Sequence, residues 1–299
     1  MTPGFDAWLG IDWSGAKGRR LPGIQVAEVR ADDAAPRLLA GPQKPGLWRR
    51  RDVLNLLLER HAGGERILAG FDFAFAYAWH NHGTYFPGLA GAPEDVRSLW
   101  AYVDQLAGPS EDFYGGGVYA AGSPVAGLYL TPAGRGAGYE HRRRRTELAC
   151  AVVTSPHPVF KCVGAANVGT GSLAGMRILR QLKASLGERV TVWPFDVGTP
   201  SGLTVVEIFP RLYFKRAGQD PRAWHDAAVV NATLSACGSR AMPPRWSARR
   251  EDEADAVVSA AALRALSADA ETWRAPAEEP AAQSEGWIFG VEPVKPTAP

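Results

Sequence analysis

The chain has 299 residues, 46% hydrophobic and 21% charged, and its 33 Lys and Arg against 31 Asp and Glu leave a formal charge of +2. That balance excludes nucleic-acid binding by bulk charge, so any such site must be a local patch. Cys150, Cys162 and Cys237 form no CxxC pair, which argues against a disulfide framework or a structural zinc site and suits a reducing cytoplasm. The N-terminal residues lack a signal-peptide pattern and no stretch has the apolar length of a membrane span, so the expectation is a cytoplasmic protein with no membrane partner.

In chain order, strands are predicted at Ala7–Asp12, Ile24–Arg30 and Pro36–Ala40, the first two joined as an antiparallel hairpin through GAKGRRLPG. Trp48–His61 places Val53, Leu54, Leu57 and Leu58 on one helical face, and Gly63-Gly64 ends it. ILAGFDFAF follows, an apolar run closing in Asp72. A helix is expected over Ala92–Leu106, with Pro93, Glu94 and Asp95 suiting its first turn. Gly108–Gly138 is rich in Gly, Pro and Tyr without periodicity and reads as a partly mobile insertion with no fold-defining element. Order resumes near Pro158–Val163, then a helix over Leu173–Leu186 with Ser172 as N-cap, strands at Val190–Phe195 and Leu203–Phe209, a helix at Arg222–Cys237 and the Ala-rich helix Glu251–Leu266. Residues 275–299 read as a Pro/Ala/Glu-rich tail, mostly disordered apart from Trp287–Val291. Together these predict one α/β domain over residues 1–274, a mixed sheet with helices on its faces, and a large insertion at about 76–157.

The chemistry sits in the acids. Asp12 and Asp72 end strands, Glu207 lies inside TVVEIFP, and Asp252 and Asp255 share a face of the last long helix. Each has a plainer reading: a turn former or backbone cap for the strand-end aspartates, a solvent-facing or arginine-paired Glu207, and a favourable helix-dipole contribution for Asp252 and Asp255. Taken together, several neighbouring carboxylates repel one another unless a cation neutralises them. Carboxylates without a His or Cys set favour Mg²⁺ or Mn²⁺ over zinc.

The stretches GIDWSG, AGFDFAF, FKCVGAANVGTGSLAGM, VWPF, VEIFPRL, DEADAVVSAAAL and EGWIFGV resemble an uncharacterised family described as predicted nucleases of ribonuclease H-like fold. They are spread over most of the chain, and residues 76–140 match least. The resemblance implies that Asp12, Glu207 and Asp255 bind metal, with Asp252 adjacent and Asp72 either a ligand or an acid behind the ligands. It implies a divalent-metal-dependent nuclease or phosphodiesterase acting on nucleic acid or a nucleotide. Two other functions fit the same residues: a phosphotransferase of the sugar-kinase and actin type, which normally has two such cores, and a non-catalytic nucleic-acid-binding module.

Further residues are candidates for substrate contact. Gly169, Thr170, Gly171 and Ser172 either cradle a phosphate at a helix N-terminus or form a turn and cap, and no GxxxxGK[ST] pattern is present. Arg144 and Arg145 in HRRRR at 141–145 are either a solvated surface or phosphate contacts, with Arg211 and Lys161 as lesser candidates. Tyr114, Tyr119, Tyr129 and Tyr139 either stack bases or pack the insertion. His80 and His82 read as loop residues, and neither Ser14 nor Ser172 sits in a nucleophile elbow.

Overall fold

The computed structural model describes residues 4–164, 167–196, 198 and 202–294. Ala165–Ala166 of the GAANVGTGS motif and residues 295–299 of the tail therefore lie outside the described residues. Among the described residues, eight strands run in chain order: β1 (Ala7–Asp12), β2 (Gln25–Arg30), β3 (Arg37–Leu39), β4 (Ile67–Phe71), β5 (Leu130–Thr131), β6 (Gly134–Arg135), β7 (Val190–Val192) and β8 (Leu203–Glu207). The helices are α1 (Arg50–Ala62), α2 (Val96–Ala107), α3 (Arg145–Cys150), α4 (Val168–Leu186), α5 (Pro210–Arg216), α6 (Ala227–Ala236), α7 (Glu251–Ser267), α8 (Ala270–Arg274) and α9 (Ala282–Glu285).

Six strands form one mixed sheet in the order β3-β2-β1-β4-β8-β7. β1 pairs antiparallel with β2, as the hairpin reading expects, and parallel with β4; β8 runs parallel to β4 and to β7. The period of two along each strand sorts side chains between two layers. Leu9, Ile11, Ala69, Phe71 and Val205 join α1, α2 and α4 on one face. Trp8, Ala27, Leu68 and Val206 join α5, α6 and α7 on the other. No described helix is long and apolar enough to cross a membrane.

Two glycines set how closely α7 rides on the sheet. A Cβ at Gly10 would overlap the Ala256 carbonyl oxygen and the Ala260 nitrogen, and one at Gly70 would meet Ile208 and Leu263. The alanines of α7 and these glycines together let helix and strands approach backbone to backbone. That closeness brings the start of α7 beside the end of β1.

The structure departs from the sequence reading in the middle of the chain and at its end. Gly108–Gly138 is not a loose segment: Phe113, Val118, Val125 and Tyr129 are buried in the core with Tyr77, Tyr85, Phe86 and Trp100. Their aromatics interlock, Tyr77 on Phe160 at 4.5 Å and Tyr129 on Phe160 at 5.2 Å between ring centroids, an order that no sequence period announces. α2 starts at Val96 because the Asp95 side chain accepts from the Arg97 and Ser98 N–H groups, a cap that leaves Pro93 and Glu94 outside the helix. The tail folds back as far as residue 294. Glu285 is fully buried and accepts from the backbone N–H groups of Trp79, His80 and Arg145, while the Phe289 N–H donates to the Glu207 carbonyl at 2.8 Å.

Candidate active-site cleft

Because β1, β4 and β8 are parallel, their C-terminal ends lie side by side, and their ladder continues just past the strands. The Asp72 N–H donates to the Ile11 carbonyl and the Ile208 N–H to the Phe71 carbonyl, each at 3.0 Å. Beyond carboxyl ends of this kind, open α/β sheets leave a crevice where ligands bind. Here it is a cavity of about 340 Å³. Its floor carries Asp12, Asp72 and Asp252 with Glu251, and its walls come from Ser155–His157, Asn167–Val168, Phe209–Arg211 and Ile288.

Asp12 is 7% exposed and Asp255 8%, both nearly sealed. Asp12 follows Trp8 and Gly10 onto the α7 face of the sheet, where it meets Asp252 and Asp255. These last lie on one face of α7, three residues apart. Burial first, and then the charges of Asp72, Asp255, Asp252 and Glu251, hold the Asp12 carboxyl well above the usual carboxylate range. Burial and the charges of Asp72, Glu251 and Asp252 do the same to Asp255, with Arg211 opposing. Asp72 is pushed up to about 7 by burial and by Glu207, again opposed by Arg211. Asp252 is raised by burial, while Arg250 and a side-chain hydrogen bond with Asp12 work the other way. Burial and mutual repulsion thus raise all four acids, three of which line the cavity with Asp255 behind them.

Glu207 behaves differently. Along β8 it shares the face of Leu203 and Val205, opposite to Val206 and Ile208. Although it borders the same cavity, its carboxylate is held in a buried ion pair. Arg144 Nη1 donates to Oε2 at 2.7 Å, Arg144 Nη2 donates to Oε1, and the Phe75 N–H adds a bond to Oε2 at 3.1 Å. Arg144 also holds Glu147 through Nε at 2.8 Å and the Glu285 carbonyl at 3.0 Å. A guanidinium therefore stands where the sequence reading puts a metal ion at Glu207. The arginine-paired alternative is the observed one.

The glycine-rich motif also takes a different form. α4 begins at Val168, not Leu173, and Asn167 caps it through a 3.2 Å bond from the Thr170 N–H. Ser172 is buried inside the helix and accepts from the Ala74 N–H at 3.0 Å. Thr170 meets the Tyr119 hydroxyl at 3.0 Å, and Gly169 packs where a Cβ would overlap the Val159 carbonyl. Of the four residues only Gly171 reaches the cleft wall, and its carbonyl accepts from Trp13 Nε1 at 3.2 Å. Gly169 serves close packing of a helix start, whereas a Cβ at Gly171 would meet only ordinary contact at 3.7 Å.

The HRRRR run divides by burial. Arg142 and Arg144 are buried, Arg142 with its guanidinium 4.4 Å from the Phe160 ring centroid. Arg145 is exposed at the start of α3, away from the cleft lining. Arg211 does line the cleft, half exposed and 3.3 Å from Glu251. Tyr77 and Tyr129 bond each other through their hydroxyls at 2.8 Å, and Tyr129 and Tyr139 are buried, so the packing reading holds for these two of the four tyrosines singled out. His80 Nδ1 contacts Glu285 at 2.7 Å and His82 Nε2 contacts Glu140 at 2.8 Å.

Sequence reasoning passed over Glu147, His157, Asn167 and Glu251. Glu251 had a signal, since it opens the same acidic helix turn as Asp252; Glu147 had one in its i,i+3 spacing from Arg144. His157 had none, because it reaches the cleft through chain folding alone. Among the described residues, no three His, Cys, Asp or Glu side chains are arranged to hold a metal ion by themselves. Comparison with family models, with curated proteins and with solved structures gives no match.

Proposed function

We propose that this protein is a divalent-metal-dependent phosphodiester hydrolase, a nuclease of ribonuclease H-like architecture that uses Mg²⁺ or Mn²⁺. The observation that carries the reading is the convergence of Asp12 and Asp72, at the ends of β1 and β4, with Asp252 and Asp255 of α7, beneath a rim that carries Arg211. The antiparallel β1–β3 meander followed by parallel β4 and β8, with an acid at the end of β1, supports the fold assignment. One six-stranded sheet among the described residues favours it over a two-core phosphotransferase.

The donor chemistry fits a hard cation. All four groups are carboxylates, Asp72 and Asp252 are open to the cleft, and their mutual repulsion is relieved by positive charge. Oxygens of a bound phosphate would complete a coordination that the protein alone leaves short. When bound, the ion supplies charge to a phosphoryl oxygen and acidity to an attacking water.

The chain's own groups do the rest. Asp12 and Asp255 lie deepest and hold position. Asp72 opens onto the cleft as a ligand or as the acid behind the ligands. Arg211 neutralises the non-bridging oxygens. Arg144 fixes the Glu207 carboxylate in place through two hydrogen bonds, which makes Glu207 a positioning residue. Calorimetric titration of Mn²⁺ into the wild type and into Asp12→Asn tests the reading, followed by hydrolysis of bis(p-nitrophenyl) phosphate. Saturable binding and turnover, both lost in the variant, support it. Mn²⁺ binding absent from the wild type, with and without inorganic phosphate, would overturn it.

A further inference from the structure

The cleft is electrostatically two-sided. Its floor is acidic, while one wall and the surface behind it collect basic groups, most of them without a carboxylate partner among the described residues. His157 and Arg211 line the cavity. Lys161, Arg211, Arg143 and His141 all lie within Coulombic reach of the His157 ring, which burial first and then these charges push below its ordinary pKa. At neutral pH the ring is therefore a neutral hydrogen-bonding group set among fixed cations.

The contrast with the other arginines of this region is sharp. Arg144, Arg177 and Arg97 each have a carboxylate partner. Among the described residues, the side chains of His141, Arg143, His157 and Lys161 have no such partner. Arg143 Nε is in addition buried with no hydrogen-bond acceptor. The unpaired Arg143 and Lys161 beside the neutral His157 ring have the donor chemistry that an anion takes.

The size of the cavity limits the anion. About 340 Å³ suits one small-ligand-sized unit, a single nucleotide rather than a stacked base pair. Trp13 and Phe209 contribute apolar surface inside, of the kind on which a single unstacked base rests.

We infer that the substrate is an end or an unpaired stretch of single-stranded nucleic acid, with one nucleotide in the cleft and the neighbouring, uncleaved phosphate held by Arg143, Lys161, His157 and Arg211. This inference rests on the phosphodiester reading of the same cleft and adds to it the class of substrate and the residues that select it.

The test is the binding of a fluorescently labelled 12-nucleotide single strand to the full chain in EDTA, followed by anisotropy across a salt series. The proteins compared are the wild type, the double variant Arg143→Gln/Lys161→Gln, and Arg222→Gln as a control on an exposed arginine remote in sequence. The double variant is expected to bind at least tenfold more weakly, with a log-log salt slope smaller by about 1.4, from about 0.7 for each cation removed. The control and the wild type should agree. Should the double variant fold poorly by circular dichroism, Lys161→Gln alone should still lower the slope by about 0.7. Equal affinity and slope in wild type and cation variants would overturn the inference, as would a blunt duplex that binds as tightly as the single strand. Mn²⁺ calorimetry on the same proteins separates the two readings. Loss of strand binding with Mn²⁺ binding intact defines the wall, whereas strand binding that depends on the wall in a protein blind to Mn²⁺ overturns only the metal-dependent chemistry.

Discussion

Two groups of buried acids lie at the same end of one sheet and meet opposite fates. Glu207 and Glu147 are matched by Arg144, with the Phe75 N–H completing the bonds to Glu207. Asp12, Asp72, Asp252 and Asp255 have one another, and only the partly exposed Arg211 and Arg250 oppose their repulsion. A carboxylate at the end of a buried strand is thus not by itself a sign of a metal site. What distinguishes the two groups is whether the fold supplies the cation. Where it does, the acid is part of the framework; where it does not, the acid is available for chemistry.

The largest expected effect comes from breaking the satisfied group. Arg144→Met leaves two carboxylates buried without a cation and should destabilise the protein by about 3–5 kcal/mol, read from the shift in urea midpoint. An effect below 1 kcal/mol would remove the contrast between the two groups. Next comes the geometry that gathers the unsatisfied acids. Gly10→Ala puts a methyl group against the Ala256 carbonyl and should cost about 1–3 kcal/mol. It should also weaken Mn²⁺ binding, since α7 must move away from β1.

The unsatisfied group should respond in the opposite sense from Arg144. Asp12→Asn removes one of the repelling charges, so in EDTA at pH 8 it should raise Tm, by about 2–4 °C for each kcal/mol relieved. The same variant should lose the Tm increase that Mn²⁺ gives the wild type. A lower Tm in EDTA would show that Asp12 is held by bonds of the framework type.

The smallest effect is the pH dependence. The folded-state pKa of Asp72, about 7, lies above the ordinary aspartate value of 3.8. Its contribution to stability is fully present below about pH 4 and is lost as pH rises toward and through 7. In EDTA, wild-type stability should therefore fall more steeply from pH 5 to pH 8 than that of Asp72→Asn. Over the same window Mn²⁺ affinity should rise, because the ion displaces protons from the acids. Parallel stability profiles for the two proteins would place the proton elsewhere in the floor.

Much of this architecture is legible along the chain. The strand and helix periods locate β1, β2, β4, β8, α1 and α7, and the turn-like GAKGRRLPG connection marks β1–β2 as a hairpin with a longer loop. Asp12, Asp72, Asp252 and Asp255 stand out because acids at strand ends and on one helix face are local patterns. The helix at Val168 was harder to find because its glycines, costly in an isolated helix, are required by close packing that only the neighbours reveal. The same holds for residues 76–157, whose aromatic core has no period to detect.

What the sequence by itself determined is the set of elements and the acids at their ends, since both depend on residues near one another in the chain. What only the tertiary structure decided is which acid receives a cation. Arg144 lies 63 positions from Glu207, and Glu285, which anchors Arg145 and His80, lies 140 positions beyond Arg145. Ionic pairing acts over a few ångströms of space and is indifferent to chain separation. The difference between a framework carboxylate and a working one therefore appears only when the chain is folded.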